Sequence, residues 1–399
     1  MAYIYKRGKK WAYRAYAGKD PITGNDKQVS KSGFLTKKDA QLAAAMFERQ
    51  FHKGEYIEPS ALTFEDLTKE WEKHYSVDAK ESSVRARNKA LKHAIAKFGN
   101  DSIQSINKQE YQAFIDEISK KFSRNYVSSI HTSANMVFEY AHGINLIQGI
   151  PTEKIKLPKK KKTVHDIENE SIRDKFLEKE ELEEFLLMAK NNGLESDLLL
   201  FTTLAYTGLR IGELLALKWS DIDFEAHTLR VSKTYYNPNN NKKAYQLLTP
   251  KTDKSIRTIT IDEIVVNLLL EHKHEQDEIK KENEPFYKDE SFIFATNEGY
   301  PKTIRLVGMR MERLLNMINK DKKDDEKKHV TPHSFRHTHT SLLIEANVHI
   351  KEIQERLGHS DINTTMDIYA HMTKGIKKEA STRFSNLMES LSKNIYDKT

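Results

Sequence analysis

His333-Ser334-Phe335-Arg336-His337 and Asp367-Ile368-Tyr369-Ala370-His371 lie in one stretch, residues 331–372, and the rest of the chain can be placed around them. Residues 342–346 read as helix continuing from His333, and residues 350–357 as a second helix closed by Gly358. Side chains three and four apart share one face of a helix, so His333, Arg336 and His337 are expected to point the same way. His359 follows directly after the Gly358 stop. Tyr369 comes ten residues later, on a short helix that Asn363 or Thr364 is placed to cap. Imidazoles, an arginine and a tyrosine gathered in this way form a cationic pocket for a phosphate, with a hydroxyl beside it able to attack.

The bulk composition sets limits on that reading. The 399 residues predict two or three domains. Lys and Arg number 65 against 58 Asp and Glu, a net charge of +7, which points to a polyanionic partner. The absence of cysteine excludes a disulfide scaffold, a Cys-ligated zinc and a Cys nucleophile, and suits a reducing cytoplasm. No apolar run reaches the ~18 residues a membrane span needs, and Met1-Ala2-Tyr3-Ile4-Tyr5-Lys6 lacks an apolar signal core. A soluble, cytoplasmic protein with no membrane partner is expected.

Residues 1–60 predict a small module. Segments 2–5, 11–17 and 27–34 alternate as strands, separated by turns at 6–9 and 20–25, and a helix runs from Thr36 to about residue 52. Arg7, Lys9, Lys10 and Arg14 mix with Trp11 and Tyr16, as a sheet inserted in a DNA groove requires; a solvated sheet face is the plainer alternative. After a linker at 53–62, helices are expected from Thr63, over 82–98, 108–121 and 123–142, a compact helical domain over 63–156. Arg85 and Arg87 lie on the second of these, on a face suited to a phosphate backbone or simply to water.

Leu157-Pro158-Lys159-Lys160-Lys161-Lys162 marks a boundary, since a proline and four lysines with no apolar partner cannot pack. As a linker over 157–172, its Lys159, Lys160 and Lys161 would track an anionic surface. The third domain, 173–399, reads as helices at 177–190, 196–206 and 210–217, then strands at 228–232, 244–248 and 255–261, with a long Asn-rich turn at 237–241. A helix at 264–281, a strand at 292–295, a helix at 303–319 and a charged, mobile loop at 319–328 follow. Residues 376–399 predict a last helix with Phe384, Leu387 and Leu391 on one side.

Two further residues attract attention. Arg210 follows a Gly-bearing turn at the start of an apolar helix, and Glu213 one turn on is placed to hold its guanidinium, as catalytic support or as an ordinary helix-end salt bridge. Lys251, in Thr249-Pro250-Lys251-Thr252, is expected at a hairpin tip, solvated or reaching a cleft as a proton donor. His333 and His337 have the i, i+4 spacing of zinc ligands. However, Ser334 stands where a metalloprotease helix carries Glu, and Arg336 is a poor neighbour for a dication, so no metal is assigned.

Taken together, Thr207-Gly208-Leu209-Arg210-Ile211-Gly212-Glu213, Pro250-Lys251-Thr252, His333-Ser334-Phe335-Arg336-His337-Thr338, Leu357-Gly358-His359-Ser360 and Tyr369 resemble the tyrosine recombinase, or phage integrase, signature in order and approximate spacing. The layout is similar to integrases of temperate phages and conjugative transposons. The resemblance implies a multidomain, mainly α protein with small β-sheets: an arm-type DNA-binding domain at 1–60, a SAM-like core-binding domain at 63–156 and an α+β catalytic domain at 173–399. It also implies site-specific DNA cutting and rejoining through a 3′-phosphotyrosyl link made by Tyr369, with Arg210, Lys251, His333, Arg336 and His359 as catalytic residues and Glu213 in support. No cofactor is expected. The implied partners are double-stranded DNA at core and arm sites, a homo-tetramer on that DNA, coupled by the last helix docking on a neighbouring protomer, and an accessory excision factor. The Asn-rich excursion before Lys251 departs from the shortest members. A non-catalytic DNA-binding regulator is the rival reading, and a metal-dependent nuclease or a type IB topoisomerase are further ones.

Overall fold

The computed structural model describes residues 2–19, 25–158, 176–250, 255–324 and 326–358, with Met366 and Ser385. The expected turn at 20–25 lies almost wholly outside them, as do Lys159, Lys160, Lys161, Lys251, His359, Tyr369 and the last helix with Phe384, Leu387 and Leu391. The chain divides into two compact units, Met1–Lys161 and Lys162–Thr399.

The first unit opens with an antiparallel meander of β1 (Tyr3–Arg7), β2 (Lys10–Lys19) and β3 (Asp26–Phe34), followed by α1 (Lys37–His52). Thr36 starts α1 through a capping box, its Oγ1 accepting from the Asp39 amide at 3.1 Å while Asp39 accepts from the Thr36 amide at 3.3 Å. One face of the sheet packs on α1 through Tyr13, Ala15, Ala44 and Phe47. Helices α2 (Phe64–Asp78), α3 (Glu81–Phe98), α4 (Lys108–Ser119) and α5 (Arg124–Gly143) then enclose a second core, in which Phe64, Leu91, Tyr111 and Phe138 are fully buried. Thr63, Asn107 and Ser123 cap three of these helices; Lys80, before α3, offers no side-chain cap.

In the second unit α6 (Lys179–Asn192), α7 (Asp197–Thr207) and the short α8 (Ile211–Leu215) precede the strands. Helix α7 is apolar nearly all round because it is central: nine of its eleven residues are buried. Strands β4 (Ile222–Asp223), β5 (Thr228–Val231) and β8 (Arg257–Thr260) form one antiparallel sheet, and β6 (Thr234–Tyr236) with β7 (Gln246–Leu248) a separate hairpin. Helices α9 (Glu263–Glu282), α10 (Ile304–Ile318), α11 (Ser334–Glu345) and α12 (Ile350–Leu357) complete it.

Three expectations change. The strand at 292–295 is absent; that segment makes isolated bridges, Lys218 with Phe292 and Ala295 with Pro301. Strand β6 was hidden in the approach to the Asn-rich turn, and it, not β8, pairs with β7. The expected hairpin between the strands that flank residues 249–256 is not formed, since β7 and β8 belong to different sheets; Lys251 itself lies outside the described residues. The loop after α10 is tied at its base, where Asn319 Nδ2 donates to the Lys328 carbonyl at 2.9 Å and its Oδ1 accepts from the Lys328 amide at 3.1 Å.

Candidate active site

The site is assembled around α11, whose rotation is fixed by Phe335. That ring stacks on Phe201 at 5.7 Å and meets Phe185 edge-on at 5.4 Å, both fully buried. With Phe335 locked into the core, the next side chain is directed inward. Arg336 is 1% exposed, its Nη1 donating to the Gly208 carbonyl at 2.9 Å and its Nη2 to the Leu357 carbonyl at 2.6 Å. Burial and the nearby Arg210 pull the guanidinium down to about 9, so it stays cationic at neutral pH. A buried cation held by neutral carbonyls is poised to take an anion.

Arg210 sits at the N-cap of α8 with an extended backbone, and its side chain is 39% exposed. Glu213, one turn on, accepts from the Arg210 amide at 3.0 Å and from its Nη1 at 2.7 Å. The far side of the same carboxylate takes Arg257 Nη2 at 3.0 Å. Burial alone would raise the Glu213 carboxyl, but Arg257 and Arg210 together hold it below the usual range.

His333 precedes α11 at the surface, and its ring meets His337 edge-on at 5.1 Å. Its imidazole is lowered by partial burial, then by the Arg336 and Arg210 charges. These effects place His333, Arg336, Arg210 and Glu213 in one electrostatic cluster. Gly358, in the left-handed conformation with φ 66°, ends α12 beside the Leu357 carbonyl that Arg336 holds, and His359 is the next residue in the chain. Among the described residues no group of three or more His, Cys, Asp or Glu side chains is suited to hold a metal.

Three residues here escaped the sequence reading. Arg257 is buried in β8. His339, 6% exposed, shares its Nδ1 with the Ala205 carbonyl at 2.8 Å and accepts at Nε2 from Arg356 Nε at 3.2 Å. Burial and Arg356 push this histidine down to about 4, so it is a neutral strut. Arg356 also donates from Nη2 to the Tyr206 and Thr260 carbonyls at 3.2 and 3.1 Å. A usable signal was present: Thr338-His339-Thr340-Ser341 is an unbroken polar run, too long for a single solvent face of an amphipathic helix.

The first unit carries the other candidates. Arg7, Lys9, Lys10 and Arg14 are all exposed. On the sheet Tyr3 and Tyr5 stack at 5.8 Å, the Arg14 guanidinium lies 5.9 Å from the Tyr5 ring centre, and Tyr5 Oη meets Ser30 Oγ at 3.2 Å. Arg85 is exposed on α3, whereas Arg87 is half-buried and donates toward Ser133 of α5 at 3.4 Å.

Comparison with known proteins agrees with this architecture. Residues 175–375 match the phage integrase family, 3–51 an arm DNA-binding domain and 63–119 the phage integrase N-terminal SAM-like domain. The integrase of Staphylococcus phage L54a is 32% identical over 83% of this chain and 95% of its own length. The ICEBs1 integrase of Bacillus subtilis is 28% identical over 93% and 95%. The Tn1549 transposon integrase in complex with transposon right end DNA shares the fold at TM-score 0.66 and 23% identity, over 81% of this chain and 100% of that one. The lambda integrase dimer bound to a COC′ core site does so at TM-score 0.53 and 16% identity, over 92% and 93%. The chain belongs to the phage integrase family, the tyrosine-type site-specific recombinases of phages and conjugative transposons.

Proposed function

We propose that the chain integrates and excises its mobile element by cutting and rejoining DNA through a 3′-phosphotyrosyl intermediate, with neither metal nor ATP. The observation that carries this is the pair Arg210 and Arg336, two cations in one electrostatic cluster, the first held by the Glu213 carboxylate and the second by the Gly208 and Leu357 carbonyls. Planar forks of this kind suit the two non-bridging oxygens of a scissile phosphate and stabilise the added charge of the pentacoordinate state, the work a metal would otherwise do. Tyr369 attacks phosphorus and expels the 5′ oxygen; Lys251 protonates that oxygen; His359 hydrogen-bonds the phosphate. His333 takes the Tyr369 proton or positions it, and Glu213 supports Arg210. A phenolate leaves readily, so the reaction reverses when a second strand attacks and the bond energy is kept without ATP.

The modules are assigned accordingly: residues 1–60 to arm sites, 63–156 to the core site, 157–172 as a basic linker and 173–399 to catalysis. Arg7, Lys9, Lys10 and Arg14 face arm DNA, and Arg85, Arg87, Lys159, Lys160 and Lys161 the core duplex. Two strand pairs are exchanged, which calls for four active sites and hence a homo-tetramer; an accessory excision factor would set direction. The setting is the bacterial cytoplasm, on DNA.

The test is a nicked suicide duplex carrying the joined ends of the chain's own element. In excess EDTA it should trap a covalent adduct, and mass mapping should place the DNA on the peptide holding Tyr369. An adduct that requires added divalent metal, or that maps elsewhere, would overturn the reading.

The histidine gives a second prediction. An imidazole lowered by burial and two guanidiniums is neutral at pH 7 and free to accept a proton. As pH falls through its lowered pKa, His333 protonates and the base is lost. Single-turnover cleavage should therefore be flat near pH 7 and fall only below the ordinary imidazole range of ~6.5. His333→Gln should lower the plateau and remove that acid limb. An unchanged acid limb in the variant would take the role away from His333.

A further inference from the structure

We propose that Arg257 is a positioning residue that sets both the geometry and the charge of the phosphate-binding arginines, a role that rests on the recombinase reading above. Its side chain is 6% exposed and uses all three of its nitrogens. Nη2 and Nη1 reach the two Glu213 oxygens at 3.0 and 3.4 Å, Nε donates to the Arg356 carbonyl at 2.7 Å, and Nη1 also donates to the Ser255 carbonyl at 3.1 Å. These partners are the supports of the two clamps. Glu213 holds Arg210, and the Leu357 carbonyl, adjacent to that of Arg356, holds Arg336. Two guanidiniums thus cap the last carbonyls of α12, the end where a helix favours cations. One residue of β8 thereby fixes α8 and α12 relative to each other.

Charge makes the role more than mechanical. Arg210, Arg257 and Arg336 against Glu213 leave a net of two positive charges for the phosphate. Without Arg257, Glu213 would neutralise Arg210 instead and draw both forks of that guanidinium onto itself. Lysine cannot take the place of Arg257, because one ammonium cannot satisfy a carboxylate and a carbonyl on different elements in fixed directions.

The test uses the full-length protein in single-turnover cleavage of two suicide duplexes, one natural and one with an uncharged methylphosphonate at the scissile position. Arg257→Met should cleave the natural duplex about 100-fold more slowly, the size of effect that a 1 Å displacement of a positioning group can have. Its deficit should shrink on the uncharged duplex, where less positive charge is needed. Arg257→Lys, which keeps the charge but not the planar fork, should be about tenfold slower than wild type at a temperature where both are fully folded, with unchanged DNA affinity. Wild-type rates in either variant would overturn the proposal. So would a deficit for Arg257→Met that is equal on both duplexes, or a loss for Arg257→Lys that merely tracks a lowered Tm. If the wild-type protein itself forms no adduct, the recombinase reading has failed, and that outcome is distinct from any of these.

Discussion

Tyr369→Phe is expected to abolish the covalent adduct while the protein still binds its core site. Removing one neutral hydroxyl costs at most about 1 kcal/mol of binding, roughly a factor of five. Cleavage should fall by at least about 10⁴-fold, as when other enzymes lose their nucleophile. A phenol with pKa near ~10 is ionised to roughly one part in a thousand at pH 7, a deficit of about 4 kcal/mol at ~1.36 kcal/mol per pH unit. On the proposed mechanism the cluster around Arg336 makes up that deficit. It places fixed positive charge in a desolvated pocket, and a guanidinium bound to carbonyls needs no reorganisation as the phosphorane forms. Gel-shift affinity and adduct yield on the suicide duplex, measured side by side, decide the matter. A non-catalytic regulator would be indifferent to the substitution in both assays. Retained cleavage by Tyr369→Phe would end the phosphotyrosyl mechanism.

The sequence made the chemistry more legible than its scaffold, and the difference has a physical cause. Arg210, Glu213, His333 and Arg336 announce themselves because each lies one helical turn from a partner or beside a glycine break, a relation the residue order displays. The caps at Thr36, Thr63, Asn107 and Ser123 are equally local. Arg257 is different. Its partners Glu213 and Arg356 are 44 and 99 residues away, and nothing in a four-residue strand signals an arginine turned inward. Strand pairing failed for the same reason. Residues 234–236 and 246–248 are too short for alternation to be counted, and Phe292-Ile293-Phe294-Ala295, apolar enough for a strand, is buried in the core with its Phe292 and Ile293 carbonyls taken by His272 and Gln276 of α9 instead of entering a ladder. The contact of Arg87 with Ser133 of α5 is likewise invisible in the residue order, because the two lie 46 residues apart.

Gly208→Ala should damage the protein twice over, in stability and in rate. Gly208 ends α7 at φ 63°, a left-handed conformation that costs an L-residue about 1 kcal/mol or more. A methyl there would lie 2.6 Å from His339 Cδ2 and 2.7 Å from Leu357 Cδ2. Neither neighbour can yield freely. His339 is pinned between the Ala205 carbonyl and Arg356, and the Leu357 carbonyl is one of the two that hold Arg336. Overpacking of this kind costs about 1–3 kcal/mol, so a total of roughly 2–4 kcal/mol should appear as a lower urea midpoint. The other holder of Arg336 is the carbonyl of Gly208 itself. Relief of the clash by moving the peptide therefore swings the guanidinium, and a displacement near 1 Å there should slow cleavage by about 100-fold even where the protein remains folded. Gly143→Ala is the matched control. Gly143 ends α5 with no atom within 4 Å of an added Cβ, and the change should leave rate and midpoint near wild type or slightly raise the midpoint. Cleavage by Gly208→Ala at the wild-type rate would mean that Arg336 is not held where catalysis needs it by this turn, because the methyl cannot be accommodated without moving one of the two groups that aim it.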